Sequence, residues 1–238
     1  MGNRILYIIT FFGLLATTSL QAQDEFTKKW TAEKIKGTRQ IPYGAYSGAP
    51  FLNDKFANGE IEFLDGSKMD SLGLRYSSYR DEIIYYNTTI GAQIIIDKIS
   101  LNGFSFTDET GRKRVFRRQY YDGFLPGNRY FEVLSDGEIS LLVYRKVVLQ
   151  TCPPYNDNTG NLKNMSYQQA FNYYLYNSKK GYELIRINKS SLLSKFDKLT
   201  QKSVKRILRK NKVMMVNDEQ SFVIAWNLLK ENGITINF

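Results

Sequence analysis

The sequence predicts a mainly β protein, an antiparallel meander that is curved or barrel-like, with a small C-terminal helical appendage (α+β). Three observations predict this class: short β-branched and aromatic runs, turn signals between the runs, and a change to helical periodicity after Ile187. The 42% of hydrophobic residues, with 15 Phe and 17 Tyr, can form a core. Cys152 is the single cysteine, so no intramolecular disulfide can replace that core.

The first residues have the pattern of a secretory signal peptide. Arg4 gives a positive start, residues 5–16 are uninterruptedly apolar, and Ala22 is a small residue before the polar "QDE". The apolar run is shorter than the roughly 20 residues of a transmembrane helix, although an uncleaved anchor is the alternative. We therefore predict a signal peptide over 1–22, cleaved after Ala22, and a periplasmic or secreted chain that is not integral to the membrane. A lead segment, 23–57, follows.

Residues 58–187 are predicted to form an antiparallel β domain. In "GEIEFLDGSKMD" and "YFEVLSDGEISLLVYRKVVL" apolar alternation flanks Asp65-Gly66 and Asp136-Gly137, and Asp-Gly favours a tight hairpin because Gly tolerates positive φ. "FSFTDETGRKRVF" and "YYLYNSKKGYELIRI" indicate two further hairpins. "IIYYN" and "AQIIIDKISL" have the β-branched and aromatic composition of half-buried strands.

A polar stretch interrupts this domain at 150–170. It contains Pro153-Pro154 followed by an Asn-rich run, and prolines cannot donate to a strand ladder. The sequence therefore predicts a long loop here, which is either functional or simply mobile.

Residues 188–238 are predicted to form a basic helical appendage. On one helix over 192–212 the apolar residues occupy about half the circumference and the basic residues the other half. A break at Thr200 would preserve this amphipathic character. The apolar half contains Leu192, Leu193, Phe196, Leu199, Val204, Ile207 and Leu208. Asn217 and Gln220 resemble a capping pair that starts a further helix, and Gly233 supplies its stop.

The basic half of this helix supplies the first candidate contacts, Lys202, Lys205 and Arg209. One interpretation is the solvated face of a docked helix. The other is a surface for an anionic membrane or an acidic polysaccharide. Nucleic acid is excluded as a partner, because an exported chain does not normally meet chromosomal DNA and no recognition motif accompanies the helix.

The run "GRKRVFRRQYY" supplies the second set of candidate contacts. Its basic residues alternate between the two faces of a strand, which is typical of an edge strand that avoids association between sheets. The alternative is an Arg-aromatic surface for glycans or phosphate. The candidates on that surface are Arg112, Arg114, Arg118, Tyr120 and Tyr121, and the opposite face carries Lys113 and Arg117.

The composition excludes several kinds of chemistry. The chain has no histidine, which removes imidazole bases, His-dependent nucleophile systems and the usual zinc sites. No phosphate-binding loop or dinucleotide fingerprint occurs, so no cofactor is predicted. A pair of carboxylates could still hydrolyse a glycoside. The candidate carboxylates are Asp81, Glu82, Asp108, Glu109, Glu132 and Glu138.

The segments "GAPFLNDKFANGEIEFLDG", "LGLRYSSYRDEI" and "YFEVLSDGEISLL" resemble a family of uncharacterised exported β-rich proteins of Gram-negative bacteria. The resemblance covers most of 48–145 and implies export and a β fold, but no activity or ligand. Arg75 points to the opposite strand face from Leu74 and Tyr76, as a pairing arginine or a ligand contact.

These observations predict an exported, non-catalytic binding or structural protein of the bacterial envelope. Its partners would be another envelope protein, an acidic glycan or an anionic membrane surface. The alternatives are a carbohydrate-active hydrolase that uses paired carboxylates, and a peripheral binder of acidic polysaccharide or anionic membrane.

Overall fold

The computed structural model describes residues 35–214, 217–234 and 236, so the predicted signal peptide and residues 23–34 of the lead segment lie outside it. The strands are β1 Gly37–Arg39, β2 Ala57–Phe63, β3 Lys68–Ser77, β4 Glu82–Asn87, β5 Ala92–Ile96, β6 Leu101–Thr107, β7 Lys113–Tyr121, β8 Gly127–Ser135, β9 Ser140–Tyr144, β10 Val147–Asn156, β11 Leu162–Gln169, β12 Asn172–Asn177 and β13 Gly181–Ile185. The helices are α1 Lys189–Leu193, α2 Lys198–Lys210 and α3 Glu219–Glu231, and a short 3-10 turn covers Lys98–Ser100.

Eleven strands form one antiparallel sheet in the order β1-β5-β4-β3-β2-β6-β7-β8-β9-β12-β13, while β10 and β11 form a separate hairpin. The predicted mainly β, antiparallel class with C-terminal helices is confirmed. Within the described residues β1 and β13 are the edges of the sheet and do not pair with each other. The sheet is therefore not closed into a barrel, so of the two predicted forms, curved or barrel-like, the structure has the curved one.

The first part of the sheet is strongly curved. The rings of Tyr76 on β3 and Phe116 on β7 are 5.0 Å apart, although β2 and β6 lie between these strands in the sheet. Three strand spacings across a flat sheet would be about 14 Å. The sheet therefore curls until its concave face contacts itself. The first core on this face includes Ile61, Leu72, Leu74, Tyr76, Ile83, Phe104, Phe106, Phe116 and Tyr130.

The helices cover the rest of the concave face. Tyr130 and Leu134 project from the same side of β8, yet Tyr130 belongs to the first core and Leu134 packs against a second one. This second core combines strand residues with the buried faces of the helices. It includes Leu141, Leu175, Ile185, Leu192, Val204, Leu208, Phe222, Trp226 and Leu229.

All four predicted hairpins are present. Gly66 lies in the turn between β2 and β3 with φ of 78°, a conformation that glycine adopts without steric cost. The predicted loop over 150–170 is wrong, because β10 pairs with β11 across most of it. The Oδ1 atom of Asp157 accepts from the backbone N–H groups of Thr159 and Asn161 and closes the turn. Pro153-Pro154 falls where the register shifts, so the prolines avoid the ladder.

The helix boundaries differ from the prediction. The single helix over 192–212 is wrong, because the chain breaks between α1 and α2. Asp197, rather than Thr200, begins α2 and accepts from two of its first backbone N–H groups. Asp218, rather than Asn217, begins α3 and accepts from the N–H of Ser221 at 2.9 Å. Gly233 follows α3 with φ of 67°, as predicted.

Candidate functional site

The strand arginines lie in the interior of the sheet. β7 pairs with β6 on one side and with β8 on the other, so the interpretation as an edge strand is wrong. An inward-facing arginine is compatible with this position because the neighbouring strand supplies a carboxylate. Arg114 donates from Nε and Nη2 to the two carboxylate oxygens of Glu132, both at 2.9 Å.

Glu132 is the centre of a buried ion network between the two cores. It is 2% exposed and accepts from the Nε of Arg145 at 2.5 Å and from the Nη2 of Arg112 at 3.2 Å. The Nη1 of Arg145 lies 2.7 Å from Glu219, the first residue of α3. The network therefore attaches α3 to the sheet, and it engages Arg112 and Arg114 in the fold rather than leaving them free as ligand contacts.

A glycosidase requires two carboxylates at one site. Glu132 and Glu219 line the same cavity of about 690 Å³, together with the candidate acid Asp108. Burial alone would raise the pKa of Glu219, but hydrogen bonds and charge from Arg145, with smaller contributions from Tyr173 and Arg112, lower it below its usual range. A glycoside hydrolase needs one acid with a raised pKa as proton donor. The arginines produce the opposite effect on Glu219, so Glu219 does not fit the role of this proton donor.

Asp81 is the candidate acid whose pKa shifts upwards. Burial raises its pKa against the lowering influence of Lys98, whose Nζ lies 2.7 Å away, and of the hydroxyl of Tyr76. Its carboxylate also accepts weakly from the backbone N–H of Tyr130. Asp81 is 6% exposed and its contacts are part of the first core, so it lacks the access to substrate that a catalytic acid requires.

The remaining strand candidates are not brought together. Tyr120 is 62% exposed, whereas the next residue, Tyr121, points to the other face and packs against Tyr174 and Tyr182. The Nε of Arg118 is buried and has no hydrogen-bond partner among the described residues. The predicted Arg-aromatic surface of Arg118, Tyr120 and Tyr121 is therefore not formed.

The helix candidates, in contrast, do converge. Lys202, Lys205 and Arg209 line a groove of about 800 Å³ together with further basic residues. Three apolar residues also line it, and none of the described lining residues is a carboxylate. Within the part of the chain that the structure describes, none of its six cations has an ion-pair partner closer than 4.0 Å. We call it the cationic groove; its lining residues are Lys189, Lys202, Lys205, Arg206, Leu208, Arg209, Lys212, Val213 and Met214.

The sequence identified most of the cationic groove and missed Lys189. Helical periodicity placed Lys212 in the basic half, whereas Lys189 belongs to α1 and lies outside the predicted helix over 192–212. The N-cap at Asp197 was the detectable signal for the break. Leu199, predicted to be in the apolar half, is 77% exposed and lies about 20° around the helix from Arg206.

A second groove, of about 620 Å³, was not predicted. The lead segment lies against the β10–β11 hairpin there, and the hydroxyl of Tyr167 donates to the carbonyl of Gly44 at 3.2 Å. Its aromatic wall contains Tyr43, Tyr46, Tyr79 and Tyr167.

Arg75 has a structural environment. Its guanidinium lies over the ring of Phe51, 3.6 Å from the centroid, and its Nε donates to the carbonyl of Asn53 at 3.2 Å. Leu74 and Tyr76 are buried on the other face, as the alternation predicts.

No protein-family model, curated protein or solved structure matches this chain. Over the described ranges there is no cluster of three or more acidic or cysteine side chains that could hold a metal ion. Among the same residues, no helix has the length and apolar character needed to cross a membrane.

Proposed function

We propose that the protein is an exported, non-catalytic binding protein of the bacterial envelope, and that its cationic groove binds an acidic polysaccharide. The observation that carries the proposal is the convergence of six cations without a carboxylate in the lining. The N-terminal signal-peptide pattern supports the location, and it excludes chromosomal nucleic acid as the partner.

The electrostatics of the groove favour a polyanion. Lys202, Lys205, Arg206 and Arg209 repel one another, and a ligand with several negative charges would offset this repulsion. Two of the cations are arginines, which can bind a carboxylate or sulfate with two parallel hydrogen bonds.

The shape and lining of the groove favour a glycan chain. A concave site of about 800 Å³ can enclose several sugar units, whereas a partner with a planar surface would contact only the edge of the groove. Val213 and Met214 provide apolar contact for the carbon faces of sugar rings.

Binding of sulfated dextran, with neutral dextran as the uncharged control, tests the proposal. We expect binding to sulfated dextran that weakens with salt, because screening reduces charge interactions. The triple variant K202E/K205E/R209E should lose at least tenfold in affinity. The matched control, K36E/K55E/K179E, makes the same change in net charge at exposed positions outside the groove.

Equal losses in the two variants would show that total charge, and not the groove, binds the polymer. Binding of both dextrans alike would contradict the electrostatic basis of the proposal.

A further inference from the structure

The loop at 122–126, between β7 and β8, presents two adjacent apolar side chains to solvent. Phe124 is 86% exposed and Leu125 is 62% exposed. Leu125 has φ of 58°, a left-handed conformation in which a bulky side chain is uncommon and strained. Gly123 and Gly127 flank this pair, yet the strained conformation falls on the leucine between them.

Arg129 of β8 holds the loop in this conformation. Its Nη2 donates to the carbonyl of Phe124 at 3.2 Å and to the carbonyl of Leu125. The guanidinium lies over the ring of Tyr121 at 4.4 Å and over the ring of Tyr144 at 5.0 Å, measured to the centroids. A side chain fixed on the sheet thus positions the loop, and the exposure of Phe124 and Leu125 is a feature of the folded chain.

Two backbone carbonyls of the loop have hydrogen-bond partners within the protein. A segment that enters lipid must satisfy its backbone polar groups within the protein, because the hydrocarbon offers no partners. Arg129 already satisfies the carbonyls of Phe124 and Leu125. The next residue, Pro126, has no backbone N–H to satisfy.

We propose that Phe124 and Leu125 form a membrane anchor that inserts into the interfacial region of a lipid bilayer. The partner is a lipid surface because the apolar group is a small protrusion rather than a groove or a flat patch. The formal net charge of +10 adds attraction to anionic lipids. The anchor is separate from the cationic groove, whose lining includes neither residue.

Partitioning of the mature chain onto zwitterionic phosphatidylcholine vesicles at high salt tests the anchor without contributions from charge. We expect the variant F124S/L125S to lose roughly tenfold in partitioning, because two apolar side chains no longer leave water. The matched control, I90S/I99S, also replaces two exposed apolar residues by serine, at positions that are 64% and 72% exposed, and it should partition like the parent. Thermal unfolding of each variant shows that the comparison is between folded proteins.

A second measurement reports on the loop itself. In the variant F124W, bromine-labelled lipids should quench the additional tryptophan emission, whereas an I99W variant should stay unquenched. Unchanged partitioning of F124S/L125S, or no quenching in F124W, would overturn the anchor. The anchor would also be overturned if the protein bound only to anionic vesicles and if salt abolished that binding. This result would leave the proposal for the cationic groove intact. Crosslinking of position 124 to an envelope protein, without vesicle binding, would replace lipid by a protein partner.

Discussion

Arg145 and Glu132 form an ion pair in which both residues are almost completely buried, at 3% and 2% exposure, with the Nε and Oε2 atoms 2.5 Å apart. The pair lies where the core formed by the curled sheet meets the core covered by the helices. Arg145 reaches Glu219 from the same guanidinium. One side chain therefore joins two strands and a helix.

Removing the charge of Glu132 should destabilise the protein severely. In Glu132→Gln, Arg114 and Arg145 lose their shared carboxylate while they remain buried, and a buried ion pair that loses one partner costs about 3–5 kcal/mol. Urea denaturation gives the free energy of unfolding, with Glu138→Gln as the control at an exposed acid. A loss below about 1 kcal/mol would show that the network relaxes without cost.

The ion pair of Arg117 and Asp136 should make stability depend on pH in the acid range. The hydrogen bond from Arg117 is the largest cause that lowers the pKa of Asp136, from 3.8 to about 2. A carboxylate with a lowered pKa contributes stability above its unfolded pKa and loses it as the pH falls through the folded value. Because both side chains are substantially exposed, Asp136→Asn should cost only about 0.2–1 kcal/mol at neutral pH. The difference from the parent should shrink below pH 3.8, and a difference that is constant down to pH 2 contradicts this origin.

Two leucines of α2 test the orientation of the helix. Leu199 is 77% exposed and Leu208 is 3% exposed. Leu199→Ser should change the free energy of unfolding by about 0.5 kcal/mol or less, whereas Leu208→Ser should cost at least about 2 kcal/mol. Chemical denaturation of the two variants measures both values. Equal costs would mean that the face with Leu199 is buried.

Gly59 should tolerate no side chain. A Cβ atom there would lie 2.4 Å from the carbonyl oxygen of Ser105 on the neighbouring strand, and backbone cannot move aside cheaply. Gly59→Ala should therefore cost about 1–3 kcal/mol in the free energy of unfolding. Gly73→Ala, whose Cβ would meet its nearest atom at an ordinary 3.7 Å, is the matched control. Thermal or chemical unfolding compares them, and similar values would disprove the steric argument.

Local chemistry made part of this fold predictable. Asp65-Gly66 indicates a hairpin because the turn is stabilised locally: Gly66 adopts a positive φ, and Asp65 accepts from the backbone N–H of Ser67. Pro153-Pro154 indicated a loop for an equally local reason, but the residues on both sides pair and confine the prolines to an irregularity. A local pattern thus indicates which conformation a segment favours by itself, whereas pairing with a neighbouring strand determines the conformation that it adopts in the fold.

The candidate site shows the same division between local and long-range information. The convergence of Lys202 and Arg209 on one groove was predictable because helical periodicity places them on one face. The environment of Arg114 was not predictable from local patterns, because its partner Glu132 follows 18 residues later on the next strand. Lys189 was missed because its place beside α2 depends on how the chain turns between α1 and α2.

The position of Arg145 has a consequence for how the protein unfolds. If α3 separated from the sheet alone, Arg145 would lose the carboxylate of Glu219, and Leu141 and Leu175 would lose their apolar cover. Both effects penalise a partly opened chain. We therefore expect the sheet and its helices to unfold together, rather than through a state in which the helices alone are detached.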